Sequence, residues 1–415
     1  MDSMEQAFNK QFEAMNLQNR WHDQKTPLNP HIGKKAQATS SLWAQINWMG
    51  FNFTIAKTQR SNCHDFTLRL RTGIPFAEYI FQLEYSFRKY AFCGLMSPLP
   101  SGGYGFSRVI ADDSEFMAAC LSGDLAVVKD LCRNGSARLD DVSKKNMTPL
   151  MYAVEGGDVD TVAFLLDNGA SPNWLGGSRQ TSPIQWAIKN DRLDIARILI
   201  QRGADLHHVS TLGWTPLFYC WAQLYANQSK KTDILKLLAE YSCLELEVLD
   251  TKEWTVLQRA SAFGTAEDVN VLLKLGANPF TKTTGLQWQG IHYAIAAGNQ
   301  TTFEELLPKY ASEDLQVVDE RGWSLLHIAA QAGHQSLIRA LLDNGADPYA
   351  KSKPTRFYVP EELCDRTCTP GDVACGMDSA IQRRYLDVLA EFSLLAQPCA
   401  DPSDETGEVF FDAVE

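Results

Sequence analysis

The sequence predicts an all-α solenoid built from short helix pairs, and three observations carry that prediction. The first is self-similarity. Gly169-Ala170-Ser171-Pro172, Gly203-Ala204-Asp205-Leu206, Gly276-Ala277-Asn278-Pro279 and Gly345-Ala346-Asp347-Pro348 are variants of one phrase. They lie 34, 73 and 69 residues apart, which is one, two and two periods of roughly 33–35 residues with one insertion. The second is another phrase between them: Thr148-Pro149-Leu150, Ser182-Pro183-Ile184, Thr215-Pro216-Leu217, Thr255-Val256-Leu257, Gln289-Gly290-Ile291-His292 and Ser324-Leu325-Leu326-His327. Its first positions differ by 34, 33, 40, 34 and 35, the long interval falling where Gln223 to Lys231 interrupts the third unit. The third is helical spacing of apolar residues ahead of each glycine, as in Val162, Leu165 and Leu166.

Each period follows one logic. The Ser or Thr of the second phrase caps the amides of an inner helix, and proline is tolerated in its first turn. Ala153, Ala187, Ala260, Ala294 and Ala329 recur at one place in that helix, where a small side chain permits close approach. An outer helix follows, ended by Gly169, Gly203, Gly276 or Gly345 in a left-handed turn. Tyr241-Ser242 and Tyr310-Ala311 replace the terminal Gly-Ala in the third and fifth units, which are expected to be the least regular.

These two phrases, kept together at one period, resemble ankyrin repeats. Six periods from about Ser143 to Ser352 match, and a degenerate unit at Asp112 to Asp141 makes about seven. The resemblance implies helix-turn-helix units joined by β-hairpin turns, and a protein-binding role. Residues 1–40 read as a polar mobile segment, 41–110 as a small α/β N-terminal cap, 111–352 as the repeats, 353–396 as a helical C-terminal cap and 397–415 as an acidic disordered tail. In the N-terminal cap, Trp43 to Ala56 reads as a helix running into a strand, and Phe66 to Thr72 as a strand. In the C-terminal cap, a helix from about Ser379 places Tyr385, Leu386, Leu389 and Phe392 on one apolar face. The junction before the first unit and the acidic tail resemble ankyrin-repeat proteins of filamentous fungi. Some of those lie beside metabolite-biosynthesis genes, which implies a regulatory or accessory role.

The chain has 415 residues and a net charge of −12. Residues 1–110 carry 12 basic and 7 acidic side chains, so the remaining 26 basic and 43 acidic side chains give −17. That balance disfavours direct nucleic-acid binding and an anionic membrane surface. No apolar run reaches the ~20 residues of a membrane span, and the start lacks a secretory pattern. The ten scattered cysteines therefore read as reduced thiols in a cytoplasmic, alternatively nuclear, setting.

No His-Glu-x-x-His, Walker loop or Gly-x-Ser-x-Gly is present, so the expectation is a non-enzyme without cofactor or metal. Cys364, Cys368 and Cys375 fit no common zinc spacing, and His292 and His327 read as turn-bonding imidazoles. The informative feature is aromatic. Trp214, Trp254, Trp288 and Trp323 precede the capping position in four consecutive units and read as packing residues. Tyr152, Trp186, Tyr219 and Tyr293 stand four residues after it, on the inner helices, and are candidate protein-binding residues. Lys144, Lys145, Arg179, Lys252 and Arg321 mark mildly basic hairpin tips, candidates for steering an acidic segment. The expected function is a monomeric scaffold binding one or more proteins through a concave face and hairpin tips. The alternative is a fungal transcriptional or metabolite-cluster co-regulator acting through protein contacts.

Overall fold

In the computed structural model, residues 39–48, 51–59, 63–73, 79–90, 101–222, 231–241, 244–310, 317–356, 359 and 363–392 are described, with side chains from 107 onward. The segments read as a polar N-terminal stretch and an acidic tail lie outside them.

Ahead of the repeats the described residues are all strand. β1 (Thr39–Trp48) pairs antiparallel with β2 (Phe51–Gln59). β3 (Cys63–Gly73), β4 (Tyr79–Tyr90) and β5 (Ser101–Ile110) form an antiparallel meander. The helix expected within Trp43 to Ala56 is thus a strand pair. Trp43, Ile46, Trp48, Phe51, Phe53, Thr54 and Ile55 are aromatic or β-branched, types that favour a pleated surface over a helix. β5 then pairs in parallel with β6 (Val142–Ser143), which belongs to the first repeat's hairpin. Arg108 fastens this junction, donating through Nε and Nη2 to the fully buried Asp141 at 2.9 and 2.6 Å.

Seven helix pairs follow. The inner elements are Glu115–Ser122, Pro149–Gly156, Pro183–Lys189, Pro216–Trp221, Val256–Phe263, Gly290–Ala296 and Leu325–Ala332. Each is followed by an outer helix, the last being Gln335–Asp343. Leu150, Ala153, Ile184, Ala187, Leu165 and Leu199 are completely buried between them. Helix starts follow the capping residues: Thr148 Oγ1 accepts from the Met151 amide, and the Ser182 amide donates to Gln185 Oε1 at 2.9 Å. In the fourth pair the inner element Pro216–Trp221 is a 3-10 helix. In the sixth, Pro308 falls in a 3-10 turn that ends the outer helix Gln300–Leu306.

The region read as a C-terminal cap is an eighth helix pair. Thr369 caps Pro370–Cys375 with its hydroxyl on the Asp372 amide, and Ser379–Glu391 follows. Tyr385 and Leu389 are buried as expected, but Leu386 is exposed. Among the cysteines, Cys120, Cys132, Cys220, Cys364 and Cys368 carry no disulfide, whereas Cys375 is disulfide-bonded, correcting the reading of reduced thiols throughout.

The described residues divide into two compact units. The first runs from the strands through Ala260 and includes Glu267–Asn278; the second comprises Ser261–Ala266 and the chain from Pro279 onward.

Candidate protein-binding surface

Six hairpins place the predicted tips. In each, the residue two before the capping position adopts a left-handed conformation: Asn146, Gln180, Gly213, Glu253, Gln287 and Gly322 have φ between 53° and 75°. Glycine occupies only two of the six, so the hairpin itself holds the strained backbone at the others. Consecutive tips are tied by main-chain hydrogen bonds. In the first unit the Gly177 amide donates to Lys145 O at 3.0 Å, Thr211 to Arg179 O at 3.1 Å and Thr251 to Leu212 O at 3.1 Å. The second unit repeats the pattern with Glu320 to Leu286 O and Lys353 to Arg321 O.

Lys144, Lys145, Arg179 and Lys252 are exposed on this ladder. Lys145 Nζ lies 3.6 Å from Asp112. Arg321 is different, and its placement corrects the reading of it as a tip cation for steering: it is 1% exposed, because its guanidinium is turned inward against Asp319.

That inward arginine belongs to a device the aromatic spacing only half revealed. Trp288 Nε1 donates to Asp319 Oδ2 at 3.0 Å across one repeat. Asp319 also accepts from Arg321 Nε and Nη2 at 2.9 and 2.7 Å and from the Arg321 and Trp323 amides. Arg321 lies 3.7 Å over the Trp323 ring. In the first unit Trp214 Nε1 donates to Asp250 Oδ2 at 3.0 Å, the Lys252 and Trp254 amides donate to Oδ1, and Arg259 stacks 4.0 Å from the Trp214 ring. Burial pushes the Asp250 carboxyl up and the Arg259 guanidinium down to about 10. All four tryptophans are buried. The signal for the aspartates was in the chain: Asp250 and Asp319 each stand four residues before a tryptophan.

The inner-helix aromatics divide. Tyr152, Tyr219 and Tyr293 are 8%, 2% and 7% exposed, presenting little more than an edge. Tyr219 and Tyr293 meet Trp214 and Trp288 edge-to-face at 5.3 and 5.2 Å. Burial raises the Tyr219 phenol, opposed by the Ser210 hydroxyl and the charges of Arg179 and Arg259. Trp186 is the half-exposed member. Its Nε1 donates to Thr181 Oγ1 at 2.7 Å, and Lys189 Nζ sits 4.5 Å over the ring. Lys189 was not singled out by sequence reasoning, although it stands one helical turn beyond Trp186.

The buried imidazoles are helix-start groups. His292 Nδ1 and His327 Nδ1 accept from the amides of Gln289 and Ser324 at 3.1 Å, so each Nε2 carries the proton, and that of His292 is buried without a hydrogen-bond partner among the described residues. His327 Nε2 reaches Cys368 O at 2.9 Å. Among the described residues no three His, Cys, Asp or Glu side chains gather to hold a metal, and no helix is long and apolar enough to cross a membrane.

The repeats match known families. Residues 116–210 and 280–352 match the model for ankyrin repeats in three copies, and 184–239 the model for ankyrin repeats in many copies. A Caenorhabditis elegans homolog of transient receptor potential cation channel subfamily A member 1 is 32% identical over 133 residues, 30% of this chain and 11% of the channel. The ankyrin repeat protein nuc-2 of Neurospora crassa is 33% identical over 121 residues, 28% of this chain and 11% of that protein. The chain thus spans about a tenth of the length of these curated relatives. Among solved structures, the human ASB11 ankyrin repeat domain aligns with 22% identity and a TM-score of 0.48 over 57% of this chain and 99% of that one. A chain from the complex of a Bdellovibrio bacteriovorus predatory endopeptidase with its immunity protein aligns with 28% identity and a TM-score of 0.42, over 47% and 98%.

Proposed function

We infer that the helix pairs, matched by ankyrin-repeat models over residues 116–239 and 280–352, serve as a protein-interaction fold. We propose that this protein is a non-enzymatic binding module whose first unit presents hairpin tips and Trp186 to a protein partner. The observation that supports it best is the ladder that holds Lys144, Lys145, Arg179 and Lys252 exposed on consecutive or near-consecutive tips. Side chains on a hydrogen-bonded frame lose little further backbone freedom on binding, so more of their contact energy becomes affinity. Tyr152, Tyr219 and Tyr293 are buried and offer only their edges.

The test is affinity capture of partners from the source cell with the intact chain, compared with Trp186→Ala and with Lys144→Ala/Lys145→Ala/Arg179→Ala/Lys252→Ala. Loss of the captured proteins in folded variants is expected; full retention in both overturns the surface. A co-regulator role draws on the charge split along the chain. Exclusion of the tagged protein from nuclei removes that role and leaves the binding module intact.

A further inference from the structure

We propose that the tips of the first unit form a rail for an extended acidic segment of a partner protein, an inference that rests on the binding-module reading above. Three main-chain bonds of 3.0–3.1 Å hold four tips side by side; the residues each bond joins stand roughly 5 Å apart, as paired strands do, and successive tips repeat with the helix layers at roughly 8–10 Å. Lys144 and Lys145 occupy the first tip, Arg179 the second and Lys252 the fourth, while the third, Thr211-Leu212, is uncharged. An extended peptide advances about 3.3 Å per residue, so carboxylates about three residues apart meet the first and second tips, and one about six residues further on meets the fourth.

The charge pattern selects the partner's sign. The chain carries −12 overall and −17 from residue 111 onward, from 26 basic and 43 acidic residues, yet this edge is dominated by cations. Acidic groups in its neighbourhood are Asp112, paired with Lys145, and Glu253, next to Lys252. Glu155 stands in the first repeat at the register that Lys189 holds in the second. A cationic row on an acidic body attracts a short acidic segment over the row and repels a long polyanion from the rest. That difference favours a peptide over a nucleic acid. Trp186 supplies what charge alone does not. It is half-exposed, fixed through Thr181 of the second hairpin and covered on one side by the Lys189 ammonium at 4.5 Å. An aromatic or aliphatic residue flanking the carboxylates would pack against that indole while its acidic neighbour meets Lys189.

The experiment uses the full chain and a fluorescein-labelled twelve-residue peptide of alternating Glu and Phe/Leu, with its Gln counterpart and a single-stranded oligonucleotide of equal charge as comparisons. Fluorescence anisotropy at low salt is expected to show the Glu peptide bound at least tenfold more tightly than either. Lys144→Glu/Lys145→Glu/Arg179→Glu/Lys252→Glu, which changes only exposed side chains and whose folding circular dichroism verifies, is expected to weaken the Glu peptide tenfold or more. Equal binding of the Glu and Gln peptides, or less than a twofold effect of charge reversal, overturns the acidic rail. An oligonucleotide bound as tightly as the Glu peptide overturns the commitment to a peptide. The binding-module reading fails separately, when captured partners survive both Trp186→Ala and neutralisation of the tips.

Discussion

Two inner helices in each compact unit start with different chemistry at one position. Three residues after the capping residue the first unit has Gln185 and Gln258, and the second has His292 and His327. All four do the same work, accepting from the capping amide at 2.8–3.1 Å. Gln185 Nε2 then reaches His208 O and Trp214 O at 3.1 Å, as His327 Nε2 reaches Cys368 O. An amide and a neutral imidazole are therefore interchangeable as struts, but only one of them titrates. Burial drives His292 and His327 down to about 4, with Asp319 opposing and Arg321 reinforcing the shift in both. An unfolded histidine titrates near 6.5. The folded unit therefore refuses a proton that the unfolded chain accepts. The stabilisation is complete above ~6.5 and is lost as pH falls toward 4, on the order of 3 kcal/mol for each imidazole. In the first unit the buried Asp250 carboxyl is shifted up, which works in the opposite direction and favours the folded state as pH falls. Hydrogen exchange with mass spectrometry, corrected for intrinsic rates, is expected to show peptides of 290–330 losing protection between pH 7 and 5 before peptides of 180–258. His292→Gln/His327→Gln is expected to close that gap, and a gap unchanged by the double variant breaks the comparison.

The next effect concerns the tryptophan-binding aspartates. Asp319 neutralises an arginine that is 1% exposed, so Asp319→Ala strands a buried charge, costing about 3–5 kcal/mol. Asp250→Ala costs less, about 1–3 kcal/mol, because Arg259 keeps its stack on Trp214 and its Nε bond to Trp221 O at 3.1 Å. Urea unfolding of the two variants ranks them. Arg321→Ala added to Asp319→Ala is expected to recover part of the loss, since no uncompensated charge then remains.

Much of this was legible in the chain. The paired phrases located six helix pairs, a degenerate unit at Asp112 to Asp141 gave a seventh, and the tryptophan spacing identified packing residues that the structure buries. Of the eighth pair, the helix from about Ser379 was read from the chain, whereas Pro370–Cys375 was not, because Thr369 stands 45 residues after Ser324 and so falls off the period, although Thr369-Pro370 repeats the Thr-Pro start. The first part of Trp43 to Ala56 was misread as helix, while its strand end was read correctly, because an apolar aromatic run satisfies helical and strand patterns alike, and only β-propensity separates them. Arg321 shows the deeper limit. Sequence position put it on a tip beside exposed lysines, but the direction of a long side chain depends on whether a buried carboxylate waits inside, and Asp319 lies only two residues away.

Glycines between paired helices sharpen the contrast on a smaller scale. Gly157 in the first unit and Gly298 in the second have φ of 88° and 71°, and each faces the residue that opens the next outer helix. A Cβ at Gly157 would meet Arg192 Cζ at 2.4 Å, and one at Gly298 would meet the His334 ring at 2.5 Å. Left-handed backbone alone costs an alanine roughly 1–2 kcal/mol. The guanidinium sits at the end of a flexible chain and swings away, whereas the ring is wider and turns about fewer bonds. Gly298→Ala is expected to cost about 2–3 kcal/mol and Gly157→Ala about 1–2 kcal/mol by thermal unfolding. Equal losses would mean that backbone strain, common to both, outweighs the neighbour.

The smallest expected effect tests whether ion pairs between outer helices add to either unit. Arg202 bonds Asp167 in the first unit, and Arg339 bonds Glu391 in the second through two bonds of 2.5 and 2.6 Å. The Glu391 carboxylate is held below and the Arg339 guanidinium above their usual ranges by that mutual bond, yet both are solvent-exposed. Water screens such pairs, and ordering two long side chains offsets most of the attraction. Arg202→Ala is expected to change stability by no more than about 0.5 kcal/mol and to lose even that in high salt. A double-mutant cycle with Asp167→Ala measures the coupling. A coupling above about 1 kcal/mol would show that the outer face, and not only the buried helix starts and tryptophan–aspartate bonds, joins one repeat to the next.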